Sequence, residues 1–149
     1  YAGGDKSDAN YSAVSAGRTD HAEAVEVFYD PEVIDYNTLL EVFFGSHDPT
    51  TLNQQGPDKG RQYRSAIFYK NDAEKKAIDS YISQLKADNV FDGDITTEVV
   101  PYEAFYDAEE YHQDFERKNP NQSYVRAVSV PRLKRFQSKY PELLKDNVH

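Results

Sequence analysis

Apolar positions along the chain change period several times, and each change marks a predicted element. Residues 22–30 read AEAVEVFYD. Glu23, Val25, Val27 and Tyr29 fall on one face and Ala24, Glu26 and Phe28 on the other, the two-residue period of a strand. Pro31 ends that run. Asp35 then stands as N-cap of a helix over residues 36–44, where Tyr36, Leu39, Leu40, Phe43 and Phe44 recur at i, i+3, i+4, i+7 and i+8. A polar loop, residues 53–60, carries Gly56-Pro57 and Gly60 as turn residues and leads into a buried strand over residues 65–69. Side chains held where loop meets strand, Asp58, Gln62, Tyr63 and Arg64, are expected at the mouth of a pocket.

Residues 71–87 form a second helix, opened by an Asn71-x-x-Glu74 capping box, with Ala77, Ile78, Tyr81, Ile82 and Leu85 on one stripe and a charged, solvated face opposite. A third strand spans residues 95–100, stopped by Pro101. A third helix is predicted from Ala108, with an Asp107-x-x-Glu110 box at its start, Pro120 at its end and Tyr111 and Phe115 on one face beside His112. The tail carries a short basic helix opened by Pro131, in which Leu133 and Phe136 lie among Arg132, Lys134, Arg135 and Lys139. Residues 1–4 read as a strand end running into a turn, which makes Tyr1 a pocket candidate, and residues 5–15 show no period and read as loop. Strands alternating with helices give an α+β fold, an α/β two-layer sandwich with helices on a mixed sheet.

Composition narrows the function classes. At 149 residues the chain is the size of one domain, residues 1–149. Asp and Glu outnumber Lys and Arg by 26 to 17, and the formal charge of −9 argues against nucleic acid or an anionic membrane as partner. No apolar run is long enough to span a bilayer. There is no Cys, hence no disulfide, thiolate nucleophile or thiolate metal site in these residues. There is also no Met, so an upstream segment is expected before Tyr1.

Glu23 is the most informative single position. A carboxyl sharing a strand face with Val25, Val27 and Tyr29 loses water, and desolvation raises its pKa because the charged form suffers most. Such an acid can give a proton to a weakly basic oxygen; the alternative is a half-exposed Glu paired with Arg18. His21 and Glu23, two apart on a strand, also allow a metal site completed by His47, Asp48 or His112, against the alternative of four scattered histidines with structural roles. Asp58 either faces a ligand or caps its own turn, and Tyr63 is either a site donor or a packed rim aromatic. The basic tail helix either docks an acidic partner or offsets some of the excess negative charge.

Taken together, Tyr1-Ala2-Gly3-Gly4, the run GRTDHAEAV from Gly17, His47-Asp48-Pro49-Thr50, the run QGPDKGRQYRSAI from Gln55 and AEEYHQ from Ala108 resemble the peptide methionine sulfoxide reductase A family. The resemblance implies a ferredoxin-like α/β two-layer domain and reduction of the S epimer of free or peptide methionine sulfoxide. It implies that a Cys at a helix N-terminus attacks the sulfoxide sulfur, that Glu23 protonates or hydrogen-bonds the sulfoxide oxygen with help from Tyr1 and Tyr63, and that Asp58 binds the substrate backbone. His112 joins the substrate-binding set, and no cofactor or metal is implied. The family's nucleophile lies in a Gly-Cys-Phe-Trp motif upstream of the Tyr-Ala-Gly-Gly segment, so the domain is read as N-terminally incomplete. Ser15 stands where many members carry a second Cys, Asp20 replaces a usual Gly and Phe115 a frequent Tyr.

The expectation is therefore a repair enzyme for oxidised methionine whose nucleophile is absent from these 149 residues, so that the chain alone does not turn over. Thioredoxin or another thiol is the implied reductant. A monomer in the cytoplasm is expected, or an exported form if an upstream signal was removed. A non-catalytic relative that binds methionine sulfoxide or peptide, and a His/carboxylate metal protein, are the other readings.

Overall fold

The computed structural model describes residues 1–145. Two long helices fulfil the periodic pattern. Helix α2 (Tyr36–Ser46) begins where the Asp35 carboxylate accepts from Thr38 N at 2.7 Å, and α3 (Asp72–Ala87) where Asn71 Oδ1 accepts from Glu74 N at 2.9 Å. The Glu74 carboxylate reaches back to Lys70 N, so the cap closes reciprocally one residue before the expected partner. Their apolar faces meet in a core of Leu40, Phe44 and Ile78, with the Phe44 and Tyr81 rings stacked at 5.6 Å. Behind them lies a parallel pair, β3 (Ala66–Tyr69) with β4 (Glu98–Pro101), in the register Ala66 to Glu98 through Tyr69 to Pro101. Helices packed on a small sheet make the fold α+β. Antiparallel pairing occurs separately, where β1 (Gln54–Gln55) folds back on β2 (Asp58–Lys59) around Gly56-Pro57.

Four expectations are corrected. Residues 22–30 run extended, but only Ala22 pairs, bridging Ala2, and Val25 and Phe28 are each 86% exposed. Alternation specifies an extended chain, whereas a strand also needs a neighbour to satisfy its backbone. Residues 5–15 are not plain loop: they hold a 3-10 turn (Lys6–Asp8) and a helix, α1 (Tyr11–Ser15), capped by Asn10 Oδ1 on Ala13 N at 2.9 Å. The single helix expected from Ala108 is two short pieces, a 3-10 turn (Glu110–His112) and α4 (Phe115–Lys118), separated at Asp114, whose φ of +56° is left-handed. Pro101 lies inside β4 rather than beyond it, at the sheet edge where its missing N–H costs no ladder bond.

Helix α5 (Val130–Lys139) carries Pro131 in its first turn as expected and is preceded by a π-helical turn, Val125–Ser129. It packs on α2. Gly45 allows this approach, because a Cβ there would stand 2.6 Å from the Tyr140 ring just beyond α5. Among the described residues no helix is long and apolar enough to cross a membrane.

Candidate functional site

Backbone pairing fixes where Glu23 stands. Ala22 and Ala2 exchange hydrogen bonds of 2.8 and 3.1 Å, Ala2 also bridges Phe105, and Glu23 N donates to Gln62 O at 2.8 Å. The chain start, the 22–30 segment and the turn after β2 therefore converge, and Glu23 emerges where they meet. Gln62 and Arg64, expected at a pocket mouth, are instead buried clamps. Gln62 Nε2 donates to Ser15 O at 3.1 Å, and Arg64 donates to Asp20 O, Arg61 O and the Glu98 carboxylate at 2.9, 3.0 and 3.2 Å. Gly60 makes room for this arrangement. Its φ of +136° suits glycine, and a Cβ would meet Gln62 Oε1 at 2.2 Å.

Glu23, Asp58, Tyr63 and Tyr11 stand close enough to feel one another's charge, and this exposed acidic patch is called the groove. Burial of the Glu23 carboxyl, then repulsion from Asp58, raise its pKa, with the Tyr1 amine opposing. Glu23 is nevertheless exposed to water. No cation of the described residues pairs with Glu23 within 4.0 Å, Arg18 included. The Tyr63 phenol is likewise pushed up, by burial first and then by Glu23, Asp58 and Tyr11. Glu23, Asp58, Tyr63 and Tyr11 thus share one electrostatic environment.

Tyr1 is buried and its hydroxyl donates to Glu109 at 2.9 Å; burial first, then Glu109, and after them Tyr111 and Glu23 push its phenol up, so it too feels the Glu23 charge. Glu109 collects three tyrosines: its other oxygen accepts from Tyr11 N at 3.0 Å and from the Tyr111 hydroxyl at 3.3 Å. The Tyr11 amide bond leads the causes that hold the Glu109 carboxyl below its ordinary range. The His112 ring packs on Tyr11 and Tyr111 at 4.5 and 4.2 Å, and its Nε2 is buried without a hydrogen-bond partner.

Asp58 acquires a partner that no local pattern announces. Tyr124, just before the π-helical turn, donates its hydroxyl to the Asp58 carboxylate, and burial together with this bond raises the Tyr124 pKa to about 12. Tyr11 and Tyr124 are the residues that sequence reasoning missed. Tyr11 carried one signal, Asn10 as a helix cap ahead of it; Tyr124 lies 66 residues from Asp58 and carried none.

The remaining histidines take structural places. His21 is fully buried, accepts from Gly4 N at 3.2 Å and donates through Nε2 to Asp5 O at 2.7 Å, so its ring is held away from Glu23. His47 bonds Phe43 O and Ser65 Oγ at 2.6 and 2.7 Å. Among the described residues no group of three or more His, Asp and Glu stands where it could hold a metal ion.

A family model described as peptide methionine sulfoxide reductase matches residues 1–144. A Synechocystis protein named peptide methionine sulfoxide reductase MsrA 2 is 49% identical over 146 residues, covering 97% of this chain and 68% of that protein. An Acinetobacter baumannii MsrA is 46% identical, covering 98% and 82%. The crystal structure of reduced Mxr1 from Saccharomyces cerevisiae is similar with a TM-score of 0.75 at 42% identity, covering 81% of this chain and 69% of that one. Methionine sulfoxide reductase A of Corynebacterium diphtheriae is similar with a TM-score of 0.67 at 36% identity, covering 80% and 61%.

Proposed function

The chain belongs to the peptide methionine sulfoxide reductase family, and from that premise we propose that its groove supplies the oxygen-side half of a sulfoxide reductase site. The family's reaction is reduction of methionine sulfoxide to methionine. A sulfoxide sulfur is a poor electrophile until its oxygen is protonated or strongly hydrogen-bonded. Glu23 is the group for that task, and the observation carrying the proposal is a carboxyl whose pKa is raised by burial and Asp58 at an exposed position with no cation of the described residues paired to it. Tyr63, joined by Tyr11, donates to the same oxygen. Tyr1 acts through Glu109, which fixes the Tyr11 backbone and the Tyr111 phenol. Asp58 accepts from the substrate's backbone amide, and His112 backs Tyr11.

The step needs a thiol that these residues do not contain. A thiolate attacks the sulfur and forms an S–S bond as Glu23 gives its proton to the oxygen; the hydroxyl then passes to the attacking sulfur while the S–O bond and the new S–S bond break, leaving a thioether and a sulfenic acid. A second thiol then forms a disulfide and releases water, the place of thioredoxin or another thiol reductant in a cytoplasmic setting. The S epimer, in free or peptide-bound form, is the proposed substrate.

The test is a ¹⁵N chemical-shift titration of this chain with a short peptide carrying methionine sulfoxide. Shifts are expected at Glu23, Asp58, Tyr63 and Tyr11, and much weaker ones with the unoxidised peptide. A flat titration rejects the site. With dithiothreitol added, no peptide should be reduced; measurable turnover would show that the chemistry does not need a protein thiol.

A further inference from the structure

A cleft of about 750 Å³ lies between α2, the β1–β2 turn and α5, lined by neither Glu23 nor Tyr63. One wall is basic. Arg132, Arg135 and Lys139 line it from α5, and at about 100° per residue they fall within an arc of roughly 60° on that helix. None of the three makes an ion pair with a carboxylate of the described residues within 4.0 Å; Lys139 rests on the Tyr140 ring at 5.3 Å. A helix that merely offset the chain's charge of −9 would turn these cations onto its surplus carboxylates. Here they line the cleft without a carboxylate partner among the described residues.

Arg132 joins this cleft to the substrate groove. It stands beside Tyr124, whose hydroxyl holds Asp58, and its guanidinium stands 3.3 Å from where a Cβ on Gly56 would be. A peptide whose backbone is held by Asp58 therefore continues toward Arg135 and Lys139. The opposite wall carries Asp48 and Asp92. Asp48 is turned inward, its Oδ1 accepting from the Thr50 amide and hydroxyl at 2.9 and 2.5 Å. Three cations against two carboxylates, one of them internally engaged, leave the cleft locally positive. At physiological ionic strength the Debye length is about 8 Å, so a ligand in the cleft responds to these cations more than to the distant negative surface.

We infer that this cleft binds acidic side chains of the peptide whose methionine sulfoxide occupies the neighbouring groove, so that the protein selects methionine sulfoxide in acidic sequence contexts. The inference rests on the oxygen-side site proposed above and adds a determinant of substrate choice to it. Arg135 and Lys139, both exposed, read the acidic side chains, while Arg132 stays half-buried beside Tyr124.

The test compares three labelled peptides by fluorescence anisotropy, each with one central methionine sulfoxide flanked on both sides by Asp, Ser or Lys pairs. Exposed charge contacts of this kind contribute modestly, and two or three together predict that the Asp peptide binds about tenfold tighter than the Ser peptide at low salt and the Lys peptide weaker still. The advantage should shrink several-fold near 0.5 M salt, where the Debye length falls to about 4 Å. In the Arg135→Gln/Lys139→Gln double variant the Asp and Ser peptides should bind alike, with Ser-peptide affinity unchanged; both residues are exposed, and an unchanged melting curve confirms folding. Equal affinities in the unsubstituted protein, or an Asp preference that survives the double variant, overturn the inference. If the Ser peptide binds and Asp58→Asn weakens it, the groove assignment stands even when the acidic preference fails. If no sulfoxide peptide binds at all, both are rejected.

Discussion

At the scale of single residues the site is a problem of protons held against charge. Glu23 keeps its proton to higher pH than an ordinary carboxyl because burial and Asp58 both disfavour its anion. The folded state therefore binds this proton more tightly than the unfolded chain does. Stability falls as pH rises from the ordinary value of 4.5 through the raised folded value, and the cost is fully present above it. Glu23→Gln removes that cost, so the variant should be more stable than the parent at pH 7 and no more stable below pH 4.5. Urea titrations at the two pH values measure the difference; a variant less stable at pH 7 would mean that the Glu23 anion makes a favourable contact. The same variant should keep most of the sulfoxide-specific shifts, since Gln still donates a hydrogen bond to the oxygen although it cannot give up a proton. Function here is maintained at some expense of stability, as expected where a carboxyl is held ready to donate.

At the scale of elements, what could be read in advance was what repeats locally. Helices α2 and α3 follow from apolar spacing and from Asp35 and Asn71 as caps, because both signals lie within a few residues of one another. The 22–30 segment was misjudged because two-residue alternation describes the chain's extension and says nothing of a partner. The 108–119 region was misjudged because its capping signals compete with the left-handed Asp114, which divides the turn. Within the site, Glu23, Asp58 and Tyr63 stand in motif-bearing segments and were legible, whereas Tyr124 reaches Asp58 only through the placement of the π-helical turn ahead of α5. Two substitutions separate packing from capping in α3. Ile78 is fully buried against Leu40 and Phe44, so Ile78→Ala should cost about 2–5 kcal/mol. Asn71→Ala removes the cap on Glu74 N and should cost about 1 kcal/mol. Denaturant midpoints with unchanged slope check both, and a loss below about 1 kcal/mol for Ile78→Ala would show that the core repacks freely.

At the scale of the whole molecule, the two layers are fastened by a polar chain that crosses the core boundary. His47, at the end of α2, bonds Phe43 O through Nδ1 and Ser65 Oγ through Nε2, and Ser65 Oγ in turn bonds Thr97 Oγ1 at 2.7 Å. Helix, β3 and the approach to β4 are thus joined at one imidazole. A carbonyl can only accept, so Nδ1 carries a proton; in the neutral ring Nε2 then accepts from the serine. Burial is the largest cause lowering the His47 pKa, opposed by the Phe43 carbonyl and Asp48 and reinforced by Arg132. With the folded value below the ordinary 6.5, the unfolded chain takes up the proton first as pH falls. The contribution of His47 is therefore present above about pH 6.5 and is lost progressively as pH drops through 6.5 toward the lowered folded value. His47→Asn cannot titrate, so stability plotted against pH between 5.5 and 7.5 should slope less steeply in the variant than in the parent. Parallel curves would place the acid sensitivity elsewhere. The comparison has a functional side as well, because Arg132 of the basic cleft faces this same imidazole. A protonated His47 would add positive charge beside the proposed acidic-peptide path while loosening the fastening that holds its walls in place.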